Sequence, residues 1–167
     1  MAANMIVGIG LLLASIYIGR ELGNAYRRRE RFYLDIVNFC ALLESEIGLF
    51  QNKLLDILER SIAHKDFNVV LLEVKLGLSE RNQIDNVELV CRLESLKFLN
   101  SSEQEHLIEF LCGLGRLDVA EQIIWIRRHR QAYEQKLNEC RSENKAKGGM
   151  CLKMGVIAGC LGFILVI

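Results

Sequence analysis

The chain reads apolar, polar, apolar. Residues 1–19 carry no charged side chain, and Met5–Ile18 is almost entirely apolar. At the other end Met154–Ile167 is uncharged to the last residue. A charge-rich segment lies between them. The run from Ala2 to Gly19 is 18 residues long. At about 1.5 Å rise per residue it reaches about 27 Å, close to the roughly 30 Å hydrocarbon core of a bilayer. A secretory signal would put basic residues before the apolar run and a small-residue cleavage site after it. Here nothing basic precedes the run, and Arg20, Arg27, Arg28, Arg29 and Arg31 follow it. That polarity is the one expected of an uncleaved anchor. Met150–Ile167 is also 18 residues and contains one charge, Lys153. A lysine one turn from the end can snorkel to the headgroups. With no polar face, the segment suits lipid better than the surface of a small domain, where a buried C-terminal core helix is the alternative.

The middle segment has helical periodicity throughout. Leu34, Val37, Ala41, Leu42, Ile47 and Leu49 predict a helix over roughly 31–49, which can continue from the first span. Gly48 and Asn52 predict a turn with Asn52 as the next N-cap, followed by a stripe of Leu54, Leu55, Ile57, Leu58 and Ile62 over 53–64. His64–Asn68 reads as a loop. Val69–Leu78 has β-branched residues that would suit a strand, but a lone strand has no partner, so it reads as helix. Asn82–Asn86 is a loop or cap, and Val87, Val90, Leu93 and Leu96 form a fourth stripe. Ser101–Glu105 reads as a cap and acidic first turn. Gly113 and Gly115 end that helix. A last long helix is expected from about Leu117 to Asn144, joined by Lys145–Gly149 to the second apolar segment. The fold expected is all-α. A small helical bundle over 27–149 lies between an N-terminal transmembrane helix with its flank (1–26) and a C-terminal transmembrane helix (150–167).

Composition narrows the function. The chain has 167 residues, 21 basic and 21 acidic, no proline, six cysteines and three histidines. The length allows one modest domain. Zero net charge argues against a nucleic-acid protein, which would need a basic face. The cysteines are too sparse for a disulfide scaffold. The charge is unevenly placed. Residues 20–31 carry net +3, residues 127–153 net +5 and residues 32–126 net −8. Both basic clusters lie on the inner flanks of the apolar segments. The positive-inside rule therefore places the middle segment in the cytoplasm and both termini outside. The basic flanks would sit against anionic headgroups and hold an acidic domain away from the surface.

Candidate chemistry is scarce. Cys40, Cys91, Cys112, Cys140, Cys151 and Cys160 form no Cys-x-x-Cys pair and lie at no zinc-ligand spacing with His64, His106 or His129. They read as buried apolar cysteines, with Cys140, near basic residues, as the candidate reactive thiol. No phosphate-binding loop, nucleophile elbow or His-Glu-x-x-His motif occurs. Glu44 and Glu46 stand on different helix faces and are poor acid/base partners. Arg127-Arg128-His129-Arg130 reads as a solvated basic face near the membrane. No catalytic residue, cofactor, metal or small-molecule substrate is expected. Gly19-x-x-x-Gly23 and Gly155-x-x-x-Gly159 permit close helix approach in lipid, between the two spans or with another subunit.

Two segments carry a family resemblance. One is Leu43-Glu44-Ser45-Glu46-Ile47, with Leu54 seven residues on. The other is Phe110-x-x-x-Leu114-Gly115-x-x-Asp118-x-x-x-Gln122, preceded by Leu99, Glu103 and Leu107. With an apolar helix at each end, the chain resembles the stage III sporulation protein AB family of endospore-forming bacteria. The resemblance covers essentially the whole chain, and the Leu-Gly-x-x-Asp-x-x-x-Gln segment is its most specific part. Residues 65–98 carry no motif of it. The family usually opens its second helix with Thr-Pro-Leu, where this chain has Asn52-Lys53-Leu54.

The resemblance implies a component of the channel-like complex that joins mother cell and forespore. Its helical cytoplasmic domain would be similar to those of the inner-membrane platform proteins of type II secretion and type IV pilus systems. It implies a place in the outer forespore membrane with the domain facing the mother cell. Its partners would be a cytoplasmic ATPase, stage III sporulation protein AA, and other membrane subunits. The motif also has a purely physical reading. Gly115 can take positive φ, Asp118 can cap the next helix, and Gln122 can pair with Asp118 one turn on. The motif then builds a helix–turn–helix corner, and a direct partner contact is the alternative. In function, a membrane scaffold stands against a membrane-anchored enzyme or thiol sensor using Cys140 or a carboxylate. A third reading is a soluble helical protein with a buried C-terminal helix.

Overall fold

The computed structural model describes residues 2–50, 54–61, 63–80 and 86–166. Among them there are helices and turns and no strand. The helices are α1 (Ala2–Ser45), α2 (Leu54–Arg60), α3 (Lys65–Glu80), α4 (Asn86–Glu94), α5 (Ser101–Gly113), α6 (Val119–Glu143) and α7 (Gly149–Val166). A wider π-type turn follows α1 at Glu46–Phe50, and another joins α6 to α7 at Asn144–Gly148. The chain thus stays helical where Lys145–Gly149 was expected to form a joint. The expected Asn52 cap, Lys53 and Ile62 lie outside the described residues, as do 82–85 of the expected loop.

Several boundaries differ from the sequence reading, for local reasons. α3 begins at Lys65, so only His64 of the expected His64–Asn68 loop stays outside the helix. The Asn68 N–H already bonds the His64 carbonyl at 2.9 Å. The N-cap of α5 is Asn100, one residue before the expected Ser101. Its side chain accepts from Glu103 N at 2.8 Å, while Glu103 Oε2 accepts from Asn100 N at 3.1 Å, a complete capping box. α6 starts at Val119, two residues after Leu117, because Gly115 first turns the chain at φ +78°.

The chain divides into two compact units, one of Met1–Glu30 with Asn138–Ile167 and one of Arg31–Leu137. The middle unit, Arg31–Leu137, has a conventional core of buried apolar side chains. Phe32, Ile36, Leu43, Ile57, Phe67, Val74, Leu93, Phe110 and Ile126 are each at most 1% exposed. Phe32 meets Phe67 and Phe98 edge-on at ring distances of 5.6 and 5.4 Å, and Phe39 meets Phe67 at 5.7 Å. Such pairs contribute roughly 0.5–1.5 kcal/mol each beyond burial.

The terminal unit follows the opposite rule. The first part of α1 runs antiparallel to α7, and the buried residues between them are glycines. A Cβ on Gly19 would lie 2.7 Å from the Cys151 carbonyl oxygen and 3.2 Å from Gly155 Cα. On Gly155 it would lie 2.7 Å from the Ser15 carbonyl oxygen, on Gly159 3.2 Å from Leu12 Cα, and on Gly23 3.0 Å from the Gly148 oxygen. Large apolar side chains point away: Leu13 is 61% exposed, Ile18 59%, Ile157 55% and Ile164 70%. Among the described residues one helical stretch, Val119–Ile164, holds an 18-residue window long and apolar enough to cross a membrane, and only 12% of that window is buried. The N-terminal run does not reach that measure over its described side chains, which begin at Val7.

Candidate functional site

In the middle unit the first motif segment closes α1 and faces α6, and its Leu54 reaches the second segment at Gly115. Leu43 is fully buried, while Glu46 and Ile47 are half-buried beside it. Glu44 turns toward α6. Arg127 Nε donates to its Oε1 at 2.6 Å and Arg130 Nη1 to its Oε2 at 3.2 Å. Arg130 Nε also donates to Glu134 at 2.9 Å. The hydrogen bond from Arg127, backed by both guanidinium charges, holds the Glu44 carboxyl below its ordinary value. Arg130 is pushed up, first by Glu134 and then by Glu44. The sequence leaves Glu44 without an assigned partner, and the Arg127–Arg130 run reads from it as a solvated basic face. The acid and two of the three arginines pair with one another, while the run stays largely solvated, with Arg127 62% exposed. These side chains, with Ala41, Ser45, Gly48 and Ile123, line a groove of about 490 Å³.

His129, in the same run, points into an aromatic cluster. Its ring lies 4.4 Å from Trp125, 5.2 Å from Phe110 and 6.2 Å from Tyr133. Burial there lowers its pKa from the ordinary 6.5 and pushes that of Tyr133 well up. The ring thus packs against aromatic neighbours instead of extending the basic run.

The second segment forms the corner between α5 and α6. Leu114, buried, closes α5 by donating its N–H to the Leu111 carbonyl at 3.2 Å. Gly115 follows at φ +78°, a conformation that L side chains rarely adopt. Leu54, the remaining residue of the first segment, lies 3.7 Å from where a Gly115 Cβ would stand. The Asp118 carbonyl accepts the Gln122 N–H at 2.7 Å, the first i to i−4 bond of α6, and its carboxylate is exposed. Gln122 does not pair with the Asp118 side chain as expected. It is buried, and its Oε1 accepts the Gly115 N–H at 3.2 Å. A main-chain donor left over by the turn wins, because it is held in place and has no helical partner of its own. Among the described residues the Gln122 Nε2 has no partner. Leu114, Gly115 and Gln122 therefore build the corner, and Asp118 is the member that faces outward.

One pairing was not anticipated. Asp35, only 6% exposed, accepts from His64 N at 2.9 Å and lies 2.8 Å from His64 Nδ1. It fixes the start of α3 to α1 across 29 residues of sequence. The only sequence signal is an acid inside the apolar run Leu34–Val37. The cysteines separate: Cys40, Cys112 and Cys140 are buried, Cys151 is intermediate, and Cys91 and Cys160 are exposed against expectation. Burial pushes the Cys40 thiol up to about 12 and raises Cys112 as well. Cys140, the candidate reactive thiol, is 3% exposed. Among the described residues no group of three or more His, Cys, Asp or Glu could hold a metal ion. Gly19, Gly23, Gly155 and Gly159 all lie in the terminal unit, at the close approach of α1 and α7 described above.

A family model for stage III sporulation protein AB matches residues 4–167. No curated protein and no solved structure matches the chain. The chain belongs to the stage III sporulation protein AB family and has a role in sporulation.

Proposed function

We propose that this member of the stage III sporulation protein AB family is a non-enzymatic scaffold of the mother cell–forespore channel complex. It is anchored by its terminal unit in the outer forespore membrane, with its middle unit in the mother-cell cytoplasm. The observation that carries this reading is the inverted packing of the terminal unit. In water, a helix pair that buries glycines and exposes Leu13, Ile18, Ile157 and Ile164 forfeits the hydrophobic effect. In lipid it is the expected arrangement, because tails solvate the large side chains and glycines let backbones touch. The middle unit, with its conventional core and acidic surplus, is the part built for water. On this reading it receives the ATPase, stage III sporulation protein AA, and couples it to the other membrane subunits. Charge complementarity supports that role: residues 32–126 carry net −8, which suits a basic partner surface. The thiol-sensor alternative finds little support, with Cys140 buried and the Cys40 thiolate suppressed by burial.

Two measurements test this. Alkaline carbonate should leave the chain in the membrane pellet, and release into the supernatant would refute the anchor. Full-length protein in mild detergent, used as bait from sporulating cells, should retain the ATPase. Asp118→Asn removes the exposed charge and keeps a side chain able to cap α6, so loss of the ATPase with unchanged helicity and stability makes the Asp118 carboxylate a contact. If only Gln122→Ala weakens capture, and does so together with stability, the motif acts through the corner alone. Absence of the ATPase from the native bait, with both proteins expressed and the bait inserted, would refute the docking role.

A further inference from the structure

We propose that the terminal unit carries a specific site for the phosphate of one anionic phospholipid, at the groove beside the α6–α7 turn. This rests on the membrane reading above and goes beyond it, since a diffuse basic flank needs no groove. Arg20, Asn24 and Arg27 follow i, i+4, i+7 spacing and share one face of α1. With Ile16, Gly148 and Gly149 they line a groove of about 270 Å³. The opposite wall is main chain, and a Cβ on Gly149 would meet nothing within 4 Å, so the space beside it is open.

The charges at this end of the unit are unequally committed. Glu30 accepts from Asn144 Nδ2 at 2.6 Å and lies 3.7 Å from Arg141. Glu143 lies 3.5 Å from Arg29 and 3.9 Å from Lys147. Those carboxylates are occupied by other bases. Glu21 is exposed and stands about 100° around the helix from Arg20. Among the described residues neither Arg20 nor Arg27 makes an ion pair. Two guanidinium forks with an amide between them match a phosphodiester, which offers several acceptor oxygens and no donor.

Free phosphate would satisfy the same forks, and the apolar continuation favours lipid. Ile16, Leu13 and Ile9 extend the Arg20 stripe away from the arginines at helical spacing. Leu13 and Ile9 are 61% and 49% exposed. They offer an acyl chain a track that leads from the phosphate site into the bilayer.

The test uses full-length protein in nanodiscs of phosphatidylcholine with or without phosphatidylglycerol or cardiolipin. It is released into mild detergent and read by native mass spectrometry for retained lipid. Membrane residence is checked first by carbonate extraction, so that failure of the anchor is seen separately. The native chain should retain one anionic lipid in preference to phosphatidylcholine. Arg20→Gln with Arg27→Gln should lower that retention about tenfold or more, as losing two charge-assisted contacts implies. Lys145→Gln with Lys153→Gln removes equal charge outside the groove and should leave retention near native. Arg20→Lys with Arg27→Lys preserves the charge that sets topology and should still weaken binding, because the forks are gone. Equal loss in the groove and control variants would reduce the effect to diffuse attraction and overturn the proposal. So would retention unchanged by either arginine pair. Displacement of the lipid by millimolar inorganic phosphate would overturn the lipid assignment in favour of free phosphate.

Discussion

Alanine should have opposite effects at two glycines of the same helix. At Gly155 a Cβ would sit 2.7 Å from the Ser15 carbonyl oxygen and 3.2 Å from Gly19 Cα. Both obstacles are backbone, so no side chain can swing aside and the two helices must separate. At Gly162 a Cβ would meet nothing within 4 Å. Replacing glycine by alanine inside a helix gains about 0.8–1 kcal/mol of intrinsic propensity. Forcing a tightly packed interface apart costs roughly 1–3 kcal/mol. Gly162→Ala should therefore stabilise by up to about 1 kcal/mol. Gly155→Ala should destabilise by up to about 2 kcal/mol once the propensity gain is subtracted. Gly19→Ala should follow Gly155, because its Cβ would lie 2.7 Å from the Cys151 carbonyl oxygen. The assay is reversible unfolding in bicelles or mild detergent, followed by circular dichroism, with each variant compared with the native chain. Changes of equal sign and size at Gly155 and Gly162 would refute the close approach of α1 and α7.

The middle unit gives three further predictions. Gln122→Met loses the acceptor for the Gly115 N–H, about 1 kcal/mol, but also removes a buried unpartnered amide worth a similar amount. It should stay within about 1 kcal/mol of native, while Gly115→Ala, at φ +78°, should cost roughly 1–2 kcal/mol; denaturation midpoints check both. Asp35→Ala removes the acceptor for both His64 donors and should cost about 2–3 kcal/mol. His64→Ala keeps its main-chain N–H on Asp35 and should cost about 1 kcal/mol in the same assay. Stability should fall on acidification in two stages. His129 has a depressed folded pKa, so its unfolded form binds the proton first and stability declines as pH drops below 6.5. Glu44, also depressed, holds its contribution above 4.5 and loses it as pH falls through the lower folded value. His129→Gln should flatten the first stage and leave the second, and an unchanged first stage would remove His129 as its cause.

What the sequence made legible was whatever depends on neighbours along the chain. Gly115 could be placed at a positive-φ turn because glycine alone adopts that conformation cheaply. The α5 start was placed within one residue. The Asn100–Glu103 spacing of a capping box was the signal that would have moved it from Ser101. Long-range pairing left no such trace. Glu44 and Arg127 are 83 residues apart, and Asp35 and His64 are 29 apart. An acid in a helical stripe has the same spelling whether it is solvated or buried against a partner. Gln122 shows the related failure in which a local rule is right in kind and wrong in partner. The i to i+4 pairing with Asp118 was available, and the unpaired turn N–H of Gly115 competed better for the same oxygen.

The two units nonetheless differ in what they bury more clearly than any single residue shows. Leu43, Phe67 and Leu93 are sealed in the middle unit, as water demands. Leu13, Ile18 and Ile164 stand outside the terminal unit, where glycine occupies the interior. One chemistry of side chain is thus inside in one unit and outside in the other, and no single solvent makes both arrangements favourable. Water around Arg31–Leu137 with hydrocarbon around most of the terminal unit, the arrangement proposed above, would make both favourable. The basic residues fall where those two environments would meet: Arg20 and Arg27 in one segment, Lys145 and Lys147 in the other. A cationic rim of that kind is what an anionic membrane surface stabilises. On the proposed membrane reading, the partner that Arg20 and Arg27 lack among the described residues would come from the lipid surface rather than from the chain.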